Sequence, residues 1–267
     1  MNEKSSLKKT EDPIFLSIIL IIPAFPQLAI WTLNSIIGQT EKNYEIVIIQ
    51  KDVLERDIQH IKDNGGEKIK IIASCPMDSK SAMMNEGVRL ANGKYIHFLF
   101  PGDTYISKFS LLYFQTFLKE KDFPDLVCYS FVLRESILEP EVITRSFSLN
   151  FLEKGKIPTR LDACWFLKDM LLEVKCFDER YQQREGFDIM CRIFLKKKYR
   201  VVYSRRVLTD YEFHQKTAYG GWRYGLETLI VIYRNFGLFK MLKWILVQDH
   251  LHIIKAWIYA FKRAFSR

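Results

Sequence analysis

Ser81-Ala-Met-Met-Asn-Glu-Gly-Val-Arg-Leu-Ala-Asn-Gly-Lys-Tyr-Ile-His-Phe-Leu-Phe-Pro-Gly-Asp103 is the stretch whose reading decides the fold. Its first half spaces Ala82, Met83, Val88, Leu90 and Ala91 at a helical period. Asn92-Gly93 is expected to stop that helix, because glycine adopts the left-handed conformation of a C-terminal cap at little cost. Tyr95 to Phe100 is a short apolar run of the kind that forms a buried strand. Pro101-Gly102-Asp103 ends it. Helix, glycine, buried strand and acidic turn put a carboxylate at the carboxyl edge of an α/β sheet, where open sheets place their ligands.

The flanking chain repeats the alternation. Phe15 to Ile22 reads as a first buried strand, stopped by Pro23 and Pro26, since proline cannot donate to a sheet ladder. Leu28 to Gly38 reads as a helix offering Leu28, Trp31, Leu33, Ile36 and Ile37 to the sheet. Glu45 to Ile49 is a second strand, Asp57 to Lys62 a polar helix and Lys68 to Ala73 an edge strand. Downstream, Ser107 to Lys119 is amphipathic, Asp125 to Val132 is a strand, and Ser136 to Lys156 is irregular. A helix over Phe187 to Lys197 leads to a strand over Tyr199 to Tyr203. Such alternation with short turns implies right-handed crossovers and a mostly parallel sheet flanked by helices. Residues 1–12 read as a polar tail, 13–216 as one α/β domain and 217–267 as a basic amphipathic helical extension.

The quoted stretch and its neighbours resemble the nucleotide-sugar domain of family 2 glycosyltransferases, which have the GT-A fold. That family usually reads A-R-N-x-G, then A-x-G-x-Y-I, then F-L-D-x-D-D. Here Met83 to Gly87, Ala91 to Ile96 and Phe98 to Asp103 fill those places. Met84 stands for the arginine, Phe100 and Gly102 stand for the two D-x-D carboxylates, and Asp103 keeps the last acidic position. Thr32 to Thr40 is similar to the family's L-x-S-I-x-x-Q-T. Ala163 to Tyr181 resembles the segment ending in G-x-F-D-E-x-F. Gln183 to Arg192 stands where the family has x-x-E-D-x-D-L-x-x-R, and Tyr211 to His214 resembles Y-x-x-H. The likeness spans roughly residues 14 to 216.

The resemblance implies transfer of a sugar from a nucleotide-sugar donor to a glycan or lipid-linked acceptor, by a single inverting displacement. That reaction needs a base for the acceptor hydroxyl and positive charge for the departing diphosphate. In the family the aspartate of the E-D pair is the base, and Gly186 stands there, so Glu185 and Asp188 on either side become the candidates. Both also suit a plain helix N-terminus, which favours acidic residues. Asp103 is the remaining candidate of the D-x-D turn, catalytic or metal-ligating, with His214 as a weaker second ligand for Mn or Mg. Lys80, Arg184 or Lys216 could supply the charge instead. The donor-binding set implied is Pro23, Phe25, Gln50, Asp52, Asn85 and Gly102: Phe25 could stack on a base, and Gln50 could read one through its amide. The rival reading is a catalytically degenerate GT-A domain kept as a binding or scaffolding subunit.

Composition bounds the rest. A chain of 267 residues holds one sizeable domain with an appendage. The net charge of +9 suits an anionic partner. Cys75, Cys128, Cys164, Cys176 and Cys191 show no C-x-x-C spacing and read as reduced, buried thiols of a cytosolic protein. Ile14 to Ile22 is too short to span a bilayer. From Trp222 onward, eight basic residues face only Glu227 and Asp249 and alternate with Trp, Phe, Leu and Ile. That pattern fits an interfacial anchor on anionic lipid, or else a helical hairpin packed on the domain. No recognised nucleic-acid module accompanies the charge, so nucleic acid is not the expected partner. The expected location is the cytoplasmic face of the membrane.

Overall fold

The computed structural model describes residues 15–22, 26–51, 63, 69–74, 79–133, 140–144, 146, 148–157, 159–211 and 222–247. Strands β1 (Leu16–Ile22), β2 (Tyr44–Gln50) and β3 (Ile69–Ser74) alternate with helices α1 (Pro26–Ile37) and α2 (Lys80–Leu90). They are followed by β4 (Tyr95–Leu99), β5 (Asp103–Tyr105), α3 (Ser110–Glu120), β6 (Leu126–Leu133), β7 (Glu141–Ile143) and α4 (Leu149–Glu153). A 3₁₀ turn (Leu161–Ala163) then enters β8 (Cys164–Leu167), α5 (Lys168–Glu173) and α6 (Glu185–Leu195). The described chain closes with β9 (Val201–Val207), β10 (Thr209–Tyr211), α7 (Trp222–Phe236) and α8 (Leu238–Val247).

The main sheet runs β3-β2-β1-β4-β8-β6-β7, with β9 paired to β6. Pairs β1–β2, β1–β4, β2–β3 and β6–β9 are parallel, whereas β8 runs antiparallel to both β4 and β6. The expected mostly parallel sheet is thus present, and β8 is the antiparallel element the sequence did not announce. Its four residues are too few to show a period. Ser136 to Lys156, expected to be irregular, instead contains β7 and α4. The polar helix expected over Asp57 to Lys62 lies outside the described residues.

Strands β1 and β2 are buried along their whole length, which explains why they read as continuous apolar runs rather than alternating ones. One apolar layer packs α2, α6 and α7 on one face of the sheet, and α1 and α3 cover the other. Trp31, expected to face the sheet, is 57% exposed. Thr32 turns inward in its stead, where its hydroxyl accepts from the Gly102 N–H at 3.0 Å.

Gly93 does its work by close approach, not by the left-handed cap expected of it. Helix α2 ends at Ala91 in extended backbone, and Gly93 is absent from the positive-φ glycines. A Cβ on Gly93 would lie 2.4 Å from Ser17 N and 2.6 Å from Leu16 C. Its N–H donates to Ser17 Oγ at 2.7 Å, and that hydroxyl donates to the buried Glu45 carboxylate at 2.6 Å. Gly93→Ala is therefore expected to cost about 1–3 kcal/mol by overpacking against backbone that cannot yield. Urea unfolding would show it as a lower midpoint, and an unchanged midpoint would contradict the close approach.

His97 on β4 is fully buried, stacked on Trp165 at 4.0 Å between ring centroids. Its Nδ1 lies 2.7 Å from Tyr105 Oη and its Nε2 2.8 Å from the Asp162 carbonyl. Burial, opposed by the Asp162 interactions, pushes the imidazole down to about 4. The unfolded ring protonates near pH 6.5, so the unfolded chain binds the extra proton between those values. Stability present above pH 6.5 is lost as pH falls, by about 1.4 kcal/mol per unit until the folded ring titrates. NMR titration should find the His97 resonances unmoved at pH 5. A midpoint near 6.5 would refute this.

Candidate active site

Four parallel strands bring their carboxyl ends to one edge, and the entry to β8 arrives at the same edge. The register explains why: β8 runs antiparallel to β4, pairing Tyr95 with Leu167 and His97 with Trp165. The residues before Cys164 therefore lie beside the end of β4. Helices α2 and α6 also begin at this edge, with Lys80 and Glu185 as their first residues.

Asp103 sits here, 1% exposed. Its Oδ2 accepts from the Phe100 N–H at 2.8 Å, and its Oδ1 from Arg160 Nη2 at 3.2 Å. The Nε of the same guanidinium donates to Asp162 Oδ1 at 2.8 Å. Burial first, then the Asp162 charge, holds Asp103 well above the ordinary carboxylate range, opposed by Arg160, the Phe100 N–H and Lys80. Gly102 holds the turn with φ 98°, a conformation that glycine alone adopts readily.

Glu185 is 3% exposed and forms an ion pair through Oε1 with Lys80 Nζ. Its Oε2 is buried with no hydrogen-bond partner. Lys80 also lies 5.2 Å from the Phe100 ring centroid. Asp103 and Glu185 thus share one edge, with the Lys80 charge acting on both.

Other expected site residues stand elsewhere. The Asp188 carboxylate accepts from Arg192 Nε at 2.8 Å and Asn235 Nδ2 at 3.4 Å, so it faces α7. Burial raises its pKa. The Asn85 amide donates to the Phe177 carbonyl and Glu179 Oε1, both at 3.0 Å, and accepts from the Phe177 N–H at 2.9 Å. It fastens α2 to the Phe177-Asp-Glu179 turn. Gln50 ends β2, 5% exposed, with its Oε1 buried and unpartnered. Arg184, considered as a source of charge, is 1% exposed and lies between the rings of Phe187 and Tyr224, at 4.1 and 4.5 Å. It is therefore no part of the cleft surface. Pro23, Phe25, Asp52, His214 and Lys216 lie outside the described residues.

A divalent ion takes several oxygen ligands. Among the described residues no group of three or more His, Cys, Asp and Glu is gathered to hold one. Both oxygens of Asp103 are already engaged. The described residues do not fit Mn or Mg.

The sequence missed Arg160, Asp162 and Glu227. The first two form an Arg-x-Asp pair just before an apolar run, a weak signal. Glu227 was legible only as an odd acid in a basic stretch. It accepts from the N–H groups of Gln182 at 3.2 Å, Gln183 at 2.9 Å and Arg184 at 3.1 Å, immediately before Glu185. Helix α7 also buries Val231 and Ile232 in the main core.

No protein-family model matches the chain, and no curated protein matches it in sequence. Solved structures do. TarS 1-349 of S. aureus in complex with UDP-GlcNAc aligns with a TM-score of 0.64 at 15% identity, over 83% of this chain and 66% of that one. The same protein in complex with UDP gives 0.65 at 14% identity, over 83% and 65%. The mannosyltransferase PcManGT from Pyrobaculum calidifontis, in complex with GDP-Man and Mn2+, gives 0.58 at 14%, over 78% and 59%. The chain spans 59–66% of the length of these solved chains. At such identity the likeness establishes the fold, and the fold is GT-A.

Proposed function

We propose that the chain is a glycosyltransferase that moves a sugar from a nucleoside-diphosphate donor to a hydroxyl of a glycan or lipid-linked acceptor, with inversion. One observation carries the assignment of the base: Glu185 holds one oxygen on Lys80 and leaves the other buried and unpartnered at the carboxyl edge. A buried acceptor without a partner is costly unless something brings it a proton donor. An acceptor hydroxyl is such a donor. Its oxygen attacks the anomeric carbon, its proton passes to Glu185 Oε2, and the bond to the diphosphate breaks with the electron pair leaving on the phosphate oxygen. Gln50 Oε1, likewise unpartnered at the end of β2, suits a donor N–H of the base. The solved neighbours in complex with UDP-GlcNAc, UDP and GDP-Man support a nucleotide-sugar donor. The test is nucleoside diphosphate released from a panel of UDP- and GDP-sugars. Tight binding with no release of product would favour the scaffold reading.

The membrane reading receives support from α7 and α8. Among the described residues no helix is long and apolar enough to cross a membrane. However, Trp222, Tyr233, Leu238, Phe239, Leu242, Leu246 and Val247 are all exposed, Phe239 at 77% and Leu246 at 73%. Apolar side chains flanked by lysines such as Lys243 suit the headgroup region of an anionic bilayer. Phe239→Asp with Leu246→Asp is expected to lower co-sedimentation with phosphatidylglycerol vesicles about tenfold or more, with the melting temperature unchanged. Undiminished sedimentation would remove this face from the membrane.

A further inference from the structure

We propose that the donor diphosphate is held by two protein cations, Arg160 and Lys80, in place of a divalent metal ion. This deepens the donor reading above and rests on it.

The ionic groups at the carboxyl edge are layered. The side chains of Asp103, Asp162 and Glu185 are 2%, 6% and 4% exposed, whereas those of Arg160 and Lys80 are 33% and 29% exposed. The acids lie beneath and the cations lie on top. A metal site needs carboxylate oxygens turned toward the ligand. Here an approaching phosphate meets N–H donors first.

The two cations are also pre-oriented. Asp162 and Asp103 hold Arg160 through Nε and Nη2, at 2.8 and 3.2 Å, and Glu185 holds Lys80. Ordering a long side chain on binding costs free energy, and these acids have already ordered both. Guanidinium N–H groups suit phosphate oxygens, and an ammonium adds a compact point charge. Lys80 opens α2, an eleven-residue helix whose N-terminal N–H groups favour an anion at the same place.

The replaced residues of the acidic turn agree with this arrangement. Phe100 presents its ring 5.2 Å from the Lys80 ammonium. A ring attracts a cation without adding a second negative charge beside it. Gly102 offers no side chain. The turn therefore leaves Asp103 as its only acid, with the cations outward of it.

The test is calorimetric titration of the full chain with UDP, GDP and CDP, each in EDTA and in manganese chloride. Electron paramagnetic resonance of manganese would run alongside it. One of the three is expected to bind in EDTA within about twofold of its affinity in manganese. Arg160→Gln should weaken that binding about tenfold or more, and Lys80→Met should do so independently should the first variant fold poorly. The corresponding nucleoside, lacking phosphates, should bind all three proteins equally. Binding that appears only with manganese, and immobilises the ion, overturns the inference and leaves the donor reading standing. Unchanged affinity in both variants also overturns it. Absence of binding by any nucleotide under either condition overturns the inference and the donor reading together.

Discussion

Glu185→Gln is expected to slow sugar transfer by about a hundred- to ten-thousandfold, the range for removal of a positioned general base. The exchange is nearly isosteric, so the first turn of α6 and the surrounding core should stay in place. What changes is the oxygen that is buried without a partner. An amide there cannot take up the acceptor proton. Donor affinity should shift only a few-fold, because Glu185 touches the diphosphate region through Lys80 alone. The measurement is product release from the active donor, paired with nucleotide titration of the same variant. Wild-type turnover would remove Glu185 from the reaction. Loss of turnover together with loss of folding would leave the decision to Glu185→Asp, which keeps the carboxylate but withdraws it by one methylene. That variant should retain a measurable fraction of activity.

Glu227→Ala is expected to destabilise the fold by about 3–5 kcal/mol. The carboxylate is 5% exposed and accepts from three consecutive backbone N–H groups, and Arg223 Nε adds a fourth bond at 3.1 Å. Hydrogen bonds to a charged group contribute about 1.5–3 kcal/mol each, and water entering the gap recovers part of the loss. In a chain of this size the melting temperature should fall by roughly 10 °C. Arg223 is 44% exposed, so Arg223→Ala should cost under about 1 kcal/mol. Equal melting of wild type and Glu227→Ala would show that solvent replaces the carboxylate fully. Because the loop it holds leads directly into Glu185, residual activity in the variant should fall further than its stability explains.

These two residues show what kind of information a motif carries. Three positions in the glycosyltransferase-like pattern serve as fasteners. Asn85 bonds the Phe177 to Glu179 turn across 92 residues of chain. Gln39 donates to the Ser107 carbonyl at 2.8 Å and accepts from the Leu111 N–H at 3.1 Å, joining α1 to α3. Gly93 fits against β1 where no other side chain has room. Such residues keep the frame recognisable whatever chemistry it carries. The positions that would have identified the chemistry directly, Met84, Phe100, Gly102 and Gly186, depart from the pattern. Met84 is fully buried in the apolar core, so an arginine there would be buried as well.

The sequence alone determined the alternation of buried strands and helices, the place of Asp103 at a strand end and Glu185 as the acid beside a helix start. Those features are local: apolar runs, turn residues and the spacing between them are written along the chain. Three things waited on the tertiary structure. The insertion of β8 between β4 and β6 is a matter of pairing, and four residues announce no partner. The seating of Arg160 over Asp103, 57 residues away, follows from that insertion. The contribution of α7 depends on which face of an amphipathic helix finds the core. Its periodicity favoured a membrane surface and also suited a packed hairpin; the structure buries Val231 and Ile232 and sets Glu227 on the loop before Glu185. Long-range contact decides where charge is paired, and paired charge decides what this edge of the sheet can bind.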